Sequence, residues 1–163
     1  MIRKAKNQEL DQILIIYENA RRFMAENGNP GQWYGGYPSR ELLESDLEKG
    51  QLYVYKKDDE IGAVFVFFVG EEPTYRVIDG QWLNEKPYGV LHRIAVAKQG
   101  YGIGSLCLQW CLQQCGNMRG DTHRNNASMQ RLFAKNGFSR CGIVWMNDGS
   151  ERIAYQKTLE DAG

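Results

Sequence analysis

The order of hydrophobic periods along this chain predicts a mixed α/β fold, of the α/β or α+β class. One central sheet of about six to seven parallel and antiparallel strands is expected to carry helices on both faces. Three observations predict it. Short polar connections at 57–60 and 147–150 join apolar runs as hairpins, which are antiparallel. Strand-like runs in the second half alternate with helix-period segments, and such crossovers produce parallel neighbours. The run Ile61–Val69 is almost continuously apolar, as a strand covered on both sides must be.

The elements follow in order. Ile2–Lys4 reads as a first strand. Leu10, Ile13, Leu14, Tyr17 and Met24 recur at helical spacing up to the breaker Asn27-Gly28-Asn29-Pro30-Gly31, so residues 8–26 read as a helix. A loop then carries Trp33, Tyr34 and Tyr37. Ser39 is placed to cap a short helix through Leu42, Leu43 and Leu47, ending at Gly50. Strands are expected at 51–56 and 61–69, with the second central. Residues 70–87, containing Tyr75, Trp82 and Pro87, read as a loop or irregular segment. The apolar run Gly89–Val96 is the next strand, followed by a helix from Gly102 to Cys115 that stops at Gly116. A strand at 118–123, a helix capped by Asn125 or Asn126 and ending at Asn136-Gly137, and a hairpin of 138–146 with 151–158 complete the chain.

The 163 residues suffice for one self-sufficient domain, expected over 1–163, without disulfides or metals. Lys plus Arg and Asp plus Glu number 20 each, so no overall field draws the chain to nucleic acid or to a membrane surface, and the expected partner is small. The greasiest segment, Ile61–Gly70, is too short to span a bilayer, and a cytoplasmic location is expected. Cys107, Cys111 and Cys115 stack along one helix face, a geometry that suits core packing rather than an intrahelical disulfide. Cys141 alone does not complete a metal site, so no metal is expected.

The most informative stretch is Gln99-Gly100-Tyr101-Gly102-Ile103-Gly104, between a strand and a helix. Glycines without Cβ let a backbone approach a ligand closely, and the first amides of a helix favour anions. A P-loop would require Gly-Lys-Ser/Thr, but Ser105 follows Ile103-Gly104 with no Lys. A dinucleotide fingerprint starting at Gly102 meets Cys107 where its third glycine belongs, although Asp121 stands near the expected acidic spacing. Taken alone, the turn is equally compatible with tight strand-to-helix packing.

The turn also resembles the Gln/Arg-x-x-Gly-x-Gly/Ala signature of the GNAT superfamily of N-acetyltransferases. Asn126 through Gly137-Phe138 is similar to that family's Asn-x-x-(small/apolar)-x-x-Leu-Tyr-x-Lys-x-Gly-Phe segment, at an agreeing separation. The likeness is strongest from Leu91 to Phe138 and extends over nearly the whole chain in element order. It implies that acetyl-coenzyme A is the cofactor, lying where the fourth and fifth strands of the family's sheet splay apart. Ile94 and Val96 would offer backbone groups to pantetheine. The amides of Gly100, Gly102, Ile103, Gly104 and Ser105 would hold the pyrophosphate, and Asn126 would contact the cofactor arm unless it serves only as a helix N-cap. The implied reaction is direct attack of a primary amine of a small molecule, amino acid derivative or peptide on the thioester; the alternative is a non-catalytic acyl-coenzyme A binding or sensing module. A homodimer is compatible with the likeness.

Two departures stand out. The turn after Val96 lacks about two residues before Gln99, and the position where relatives commonly carry an acidic tyrosine holds Phe133, which cannot donate a proton. Proton transfer then falls to His92 or His123, the only histidines, with Asp121 a candidate to orient His123. Period two places His92 on one face with Ile94 and Val96, where it could equally be a hydrogen-bonded core histidine. Tyr101 is expected to pack or to edge the cofactor, and Cys141 to be core. Trp33, Tyr34 and Trp82, with Tyr37 and Tyr75, either roof the core or wall the acceptor site. Glu71, Glu72 and Asp79 could meet a cationic amine or simply be solvated.

Overall fold

Periodicity, caps and turns place four α-helices and eight strands in a computed structural model that describes residues 1–159. The strands are β1 (Ile2–Lys4), β2 (Leu52–Lys57), β3 (Glu60–Val69), β4 (Asp79–Gly80), β5 (Gly89–Val96), β6 (Asn117–Thr122), β7 (Ser139–Trp145) and β8 (Glu151–Thr158). The helices are α1 (Leu10–Glu26), α2 (Arg40–Glu48), α3 (Ile103–Cys115) and α4 (Ala127–Lys135). The strands join in one mixed sheet of order β1-β2-β3-β5-β6-β8-β7-β4. The chain divides into two compact units, each built from two segments: Met1–Phe67 with His92–Cys107, and Phe68–Leu91 with the described residues from Leu108 onward.

In the first unit, β2 and β3 form a hairpin whose two central residues, Asp58 and Asp59, have φ of 52° and 64°. Both are left-handed, the conformation of a tight type I′ turn, which aspartate tolerates. Ala63 through Phe67 are all buried, in keeping with an internal strand. The Tyr53 and Phe65 rings stack across β2 and β3 at 5.7 Å. α1 buries Ile13, Ile16 and Tyr17, and α2 buries Leu43. The Ser39 hydroxyl accepts the Leu42 N–H at 3.2 Å, the expected cap. At the edge of the sheet, Arg3 grips Glu9 through two hydrogen bonds of 2.9 and 2.7 Å, and this holds the Glu9 carboxyl down at about 2.

In the second unit, β6 and β7 flank β8 antiparallel, with Asn117 opposite Thr158 and Ile143 opposite Ile153. β5 enters this unit parallel to β6, registering Gly89 with Met118 and Val90 with Arg119. The core here gathers Tyr75, Trp82, Val90, Val144 and Ala154, with Cys141 partly buried against it. The eighth strand corrects the expected six to seven. β4 lies inside the segment read as irregular and pairs with β7, Gly80 opposite Gly142. Two residues are too few to show a period. The approach is so close that a Cβ on Gly80 would stand 2.2 Å from the Cys141 carbonyl oxygen, and one on Gly142 2.1 Å from that of Asp79. Cys107 and Cys111 are buried free thiols, and burial pushes the Cys107 thiol up to about 12. Among the described residues no helix is long and apolar enough to cross a membrane.

Candidate active site

The glycine turn has a geometry suited to an anion. β5 ends at Val96, and the Ala97 N–H donates to the Gly62 carbonyl at 2.8 Å. Gly100 and Gly102 then adopt φ of 89° and 70°, which only glycine takes without strain. A Cβ at either would find no protein atom within 4 Å, so the conformation, not crowding, requires glycine, and the space beside them is open. α3 closes its first turn with the Leu106 N–H on the Gly102 carbonyl at 3.1 Å. The Ile103 and Gly104 amides precede that bond, where helix geometry supplies no intrahelical acceptor. Ser105 completes the turn. No acidic residue occupies the first turn of α3, so nothing there repels a phosphate drawn by the helix dipole. These residues fit a diphosphate. Tyr101, 74% exposed, is not part of the core.

Upstream, β5 departs from strict alternation. Arg93 has φ of 50°, a left-handed residue inside a strand. The pleat is interrupted there, so the period-two placement of His92 on one face with Ile94 and Val96 does not carry across it. The Tyr17 hydroxyl, buried in α1, donates to the Arg93 carbonyl at 2.7 Å. The Arg93 guanidinium donates to Asp46 at 2.6 Å and to the Tyr37 hydroxyl at 3.1 Å. Burial raises the Tyr17 hydroxyl far above its ordinary range, so it remains a donor. The irregular point on β5 is therefore tied to both α1 and α2. His92 itself is half-buried.

In the second unit, His123 follows β6, and its Nδ1 accepts the Asn125 N–H at 3.0 Å. That bond assigns the proton of the neutral ring to Nε2, which thus presents a donor rather than a base. Burial, then Arg152 and Arg124, lower its pKa and favour the neutral ring. Asp121 does not orient it. The Asp121 carboxylate accepts from the buried Tyr75 hydroxyl at 2.5 Å and lies 4.0 Å from Arg152. Asn126 uses its side-chain oxygen as the α4 N-cap, accepting the Met129 N–H at 3.0 Å. Phe133 is buried and stacks on Tyr155 at 4.5 Å. Its ring packs so close to β6 that a Cβ on Gly120 would stand 2.8 Å from its para carbon.

Of the aromatic candidates, Trp33 is buried against Tyr17 at 5.6 Å, whereas Tyr34 is 61% exposed. Trp82 is buried and donates its indole N–H to the Tyr75 carbonyl at 3.0 Å. Glu71 is spent on Arg76 at 2.7 Å and Glu72 on the Thr74 amide at 3.3 Å. Sequence reasoning missed a polar girdle beneath residues 82–87. Asn117 donates to Asn84 at 2.9 Å and to the Pro87 carbonyl at 3.0 Å, and the fully buried Gln156 accepts the Leu83 N–H at 2.8 Å. Among the described residues no cluster of three or more His, Cys, Asp or Glu could hold a metal.

Comparison with known proteins agrees with the glycine turn and the capped α4 that follows it. The acetyltransferase (GNAT) family model matches residues 11–138. A GNAT-family acetyltransferase structure from Streptococcus agalactiae 2603 is 34% identical, covers 99% of this chain and 96% of its own, and superposes with a TM-score of 0.91. The N-acetyltransferase YesJ of Bacillus subtilis (strain 168), itself uncharacterized, is 27% identical over 107 residues, 63% of this chain. The match spans 58% of that relative's length. The yncA structure of Salmonella typhimurium, determined with its cofactor acetyl-CoA, is 19% identical, covers 100% of this chain and 95% of its own, and has a TM-score of 0.61. With a family model spanning most of its length and a near-full-length structural relative, the chain belongs to the GNAT family of acetyltransferases.

Proposed function

We propose that this protein is an acetyl-coenzyme A dependent N-acetyltransferase that acetylates a primary amine of a small molecule, amino acid derivative or peptide. The observation that carries the reading is the pair of left-handed glycines, Gly100 and Gly102, opening onto free space at the start of α3. Main-chain N–H groups of Gly100, Gly102, Ile103, Gly104 and Ser105 hold the cofactor's pyrophosphate, with the α3 dipole favouring its charge. Extended backbone at Ile94 and Val96 pairs with the amides of the pantetheine arm, as a strand edge pairs with any extended chain. Acetyl-coenzyme A bound there supplies an acetyl group activated as a thioester.

The chain's own groups handle protons. His92 is the candidate base that takes a proton from the attacking amine; His123, neutral with its proton on Nε2, is the candidate to hold the departing thiolate by an Nε2–H hydrogen bond, the proton that completes the thiol coming from solvent. Trp33, Tyr34 and Trp82 are candidates to contact the acceptor. Asn126, whose side-chain oxygen caps α4, is a candidate to contact the cofactor arm.

One observation favours a second reading, a binding module without turnover: Phe133 replaces the family's tyrosine and is buried, stacked on Tyr155 and close against Gly120. Release of free thiol from acetyl-coenzyme A in the presence of an amine panel separates the two. Amine-dependent release supports the enzyme; tight binding without release on any amine leaves the module.

A further inference from the structure

The second unit carries a cleft of about 560 Å³ that shares only Trp82 with the acetyl-transfer reading. Tyr75, Trp82, Tyr88 and Ile78 wall it, and Arg119 of β6 lines it. Arg119 is only 3% exposed. Its guanidinium is sandwiched between rings, 4.2 Å from the Trp82 centroid and 4.1 Å from that of Tyr88. One donor, Nη2, reaches the Asn84 carbonyl at 2.7 Å, while buried Nε has no acceptor. No carboxylate forms an ion pair with it among the described residues; Glu85 acts on it only through space. A buried cation with no carboxylate partner and an unpartnered Nε is costly, and it is ordinarily compensated by an anion.

The chemistry of that anion follows from the walls. Two aromatic faces cover the guanidinium plane and leave only its edge, the direction from which a guanidinium donates to a carboxylate. Around the cleft stand Arg76, Lys86 and Arg119 against Glu71 and Glu85, a single excess positive charge. That balance suits a monoanion better than a phosphate dianion, and the apolar walls suit an organic body. We propose that this cleft binds a small organic monocarboxylate, with its carboxylate on Arg119. The site lies wholly in the second unit and does not depend on the acetyl-transfer reading.

The test titrates the full chain, without coenzyme A, with benzoate, its neutral isostere benzamide and inorganic phosphate, followed by calorimetry and by the Arg119 Nε–H resonance. Benzoate should bind saturably and shift that resonance, and benzamide should bind at least about tenfold more weakly. Arg119→Lys, which keeps the charge and loses the fork, should weaken benzoate at least about tenfold. Glu85→Gln, an exposed change that cannot unfold the protein, should tighten it about two- to threefold, and this arm stands even if Arg119→Lys does not fold. Absence of saturable benzoate binding, binding unchanged in Arg119→Lys or in Glu85→Gln, or phosphate binding as tightly as benzoate would overturn the proposal. Coenzyme A binding, measured separately, reports on the glycine turn and not on this cleft.

Discussion

Removing the Asp46 carboxylate should destabilise the protein far more than removing a surface charge. The Asp46 and Arg93 side chains are 6% and 13% exposed and meet at 2.6 Å. Losing one partner of a buried pair strands the other charge, at about 3–5 kcal/mol. Arg93 would keep the Tyr37 hydroxyl at 3.1 Å, while its buried Nε already has no acceptor, so Asp46→Ala is placed near the lower end, about 3 kcal/mol. That is a large share of the roughly 5–15 kcal/mol that holds a typical domain folded. Because Arg93 is the left-handed residue of β5, loss of its anchor should also raise the KM for acetyl-coenzyme A more than it lowers kcat. Urea unfolding read from the midpoint shift at constant slope measures the first effect. The exposed pair Arg40–Asp11 supplies the control, and Arg40→Ala should cost less than about 1 kcal/mol. A loss in Asp46→Ala no larger than that control would refute the reasoning.

Three further outcomes are expected. Gly102→Val should abolish coenzyme A binding while costing the fold only about 1–2 kcal/mol for the left-handed residue. Gly116→Val, at φ of 70° in equally open space past the end of α3, should cost the same and leave binding intact, with both read by calorimetry and thermal unfolding. Phe133→Tyr should destabilise by about 1–3 kcal/mol through overpacking against Gly120 and should not raise kcat. The pH dependence of stability should carry the mark of Glu9. Its carboxyl is held at about 2 when folded, so its contribution is complete above the unfolded value of 4.5 and is lost as pH falls toward 2. At about 1.4 kcal/mol per pH unit between those values, the loss is on the order of 3 kcal/mol. Acid titration of wild type against Glu9→Gln checks it, since the variant should show a flatter acid limb.

The helices and the long strands were legible because their causes are local. The 3.6-residue spacing of Leu10, Ile13 and Tyr17, the Ser39 cap and the Asp58-Asp59 turn all act within a few residues. The glycine turn was legible for the same reason, since a left-handed φ at Gly100 and Gly102 is a property of single residues. What stayed hidden depends on partners distant in sequence. β4 exists because two glycines let backbones approach across 62 positions, Gly80 to Gly142. The Arg93 irregularity rests on Tyr17 and Asp46, 76 and 47 residues away. Asp121 sits at a spacing that invites pairing with His123, yet Tyr75, 46 residues away, takes its carboxylate. Arg119 reads in the sequence as one charge within a strand, and only the arrival of Trp82 and Tyr88 on either side of it marks a cleft.

The most direct measurement is an amide NMR titration of the wild-type chain with coenzyme A. Saturable shifts concentrated at the N–H groups of Gly100, Gly102, Ile103, Gly104 and Ser105 are the predicted result. Coenzyme A binding that leaves those amides unmoved, or no binding, would contradict the assignment of the pyrophosphate to the start of α3.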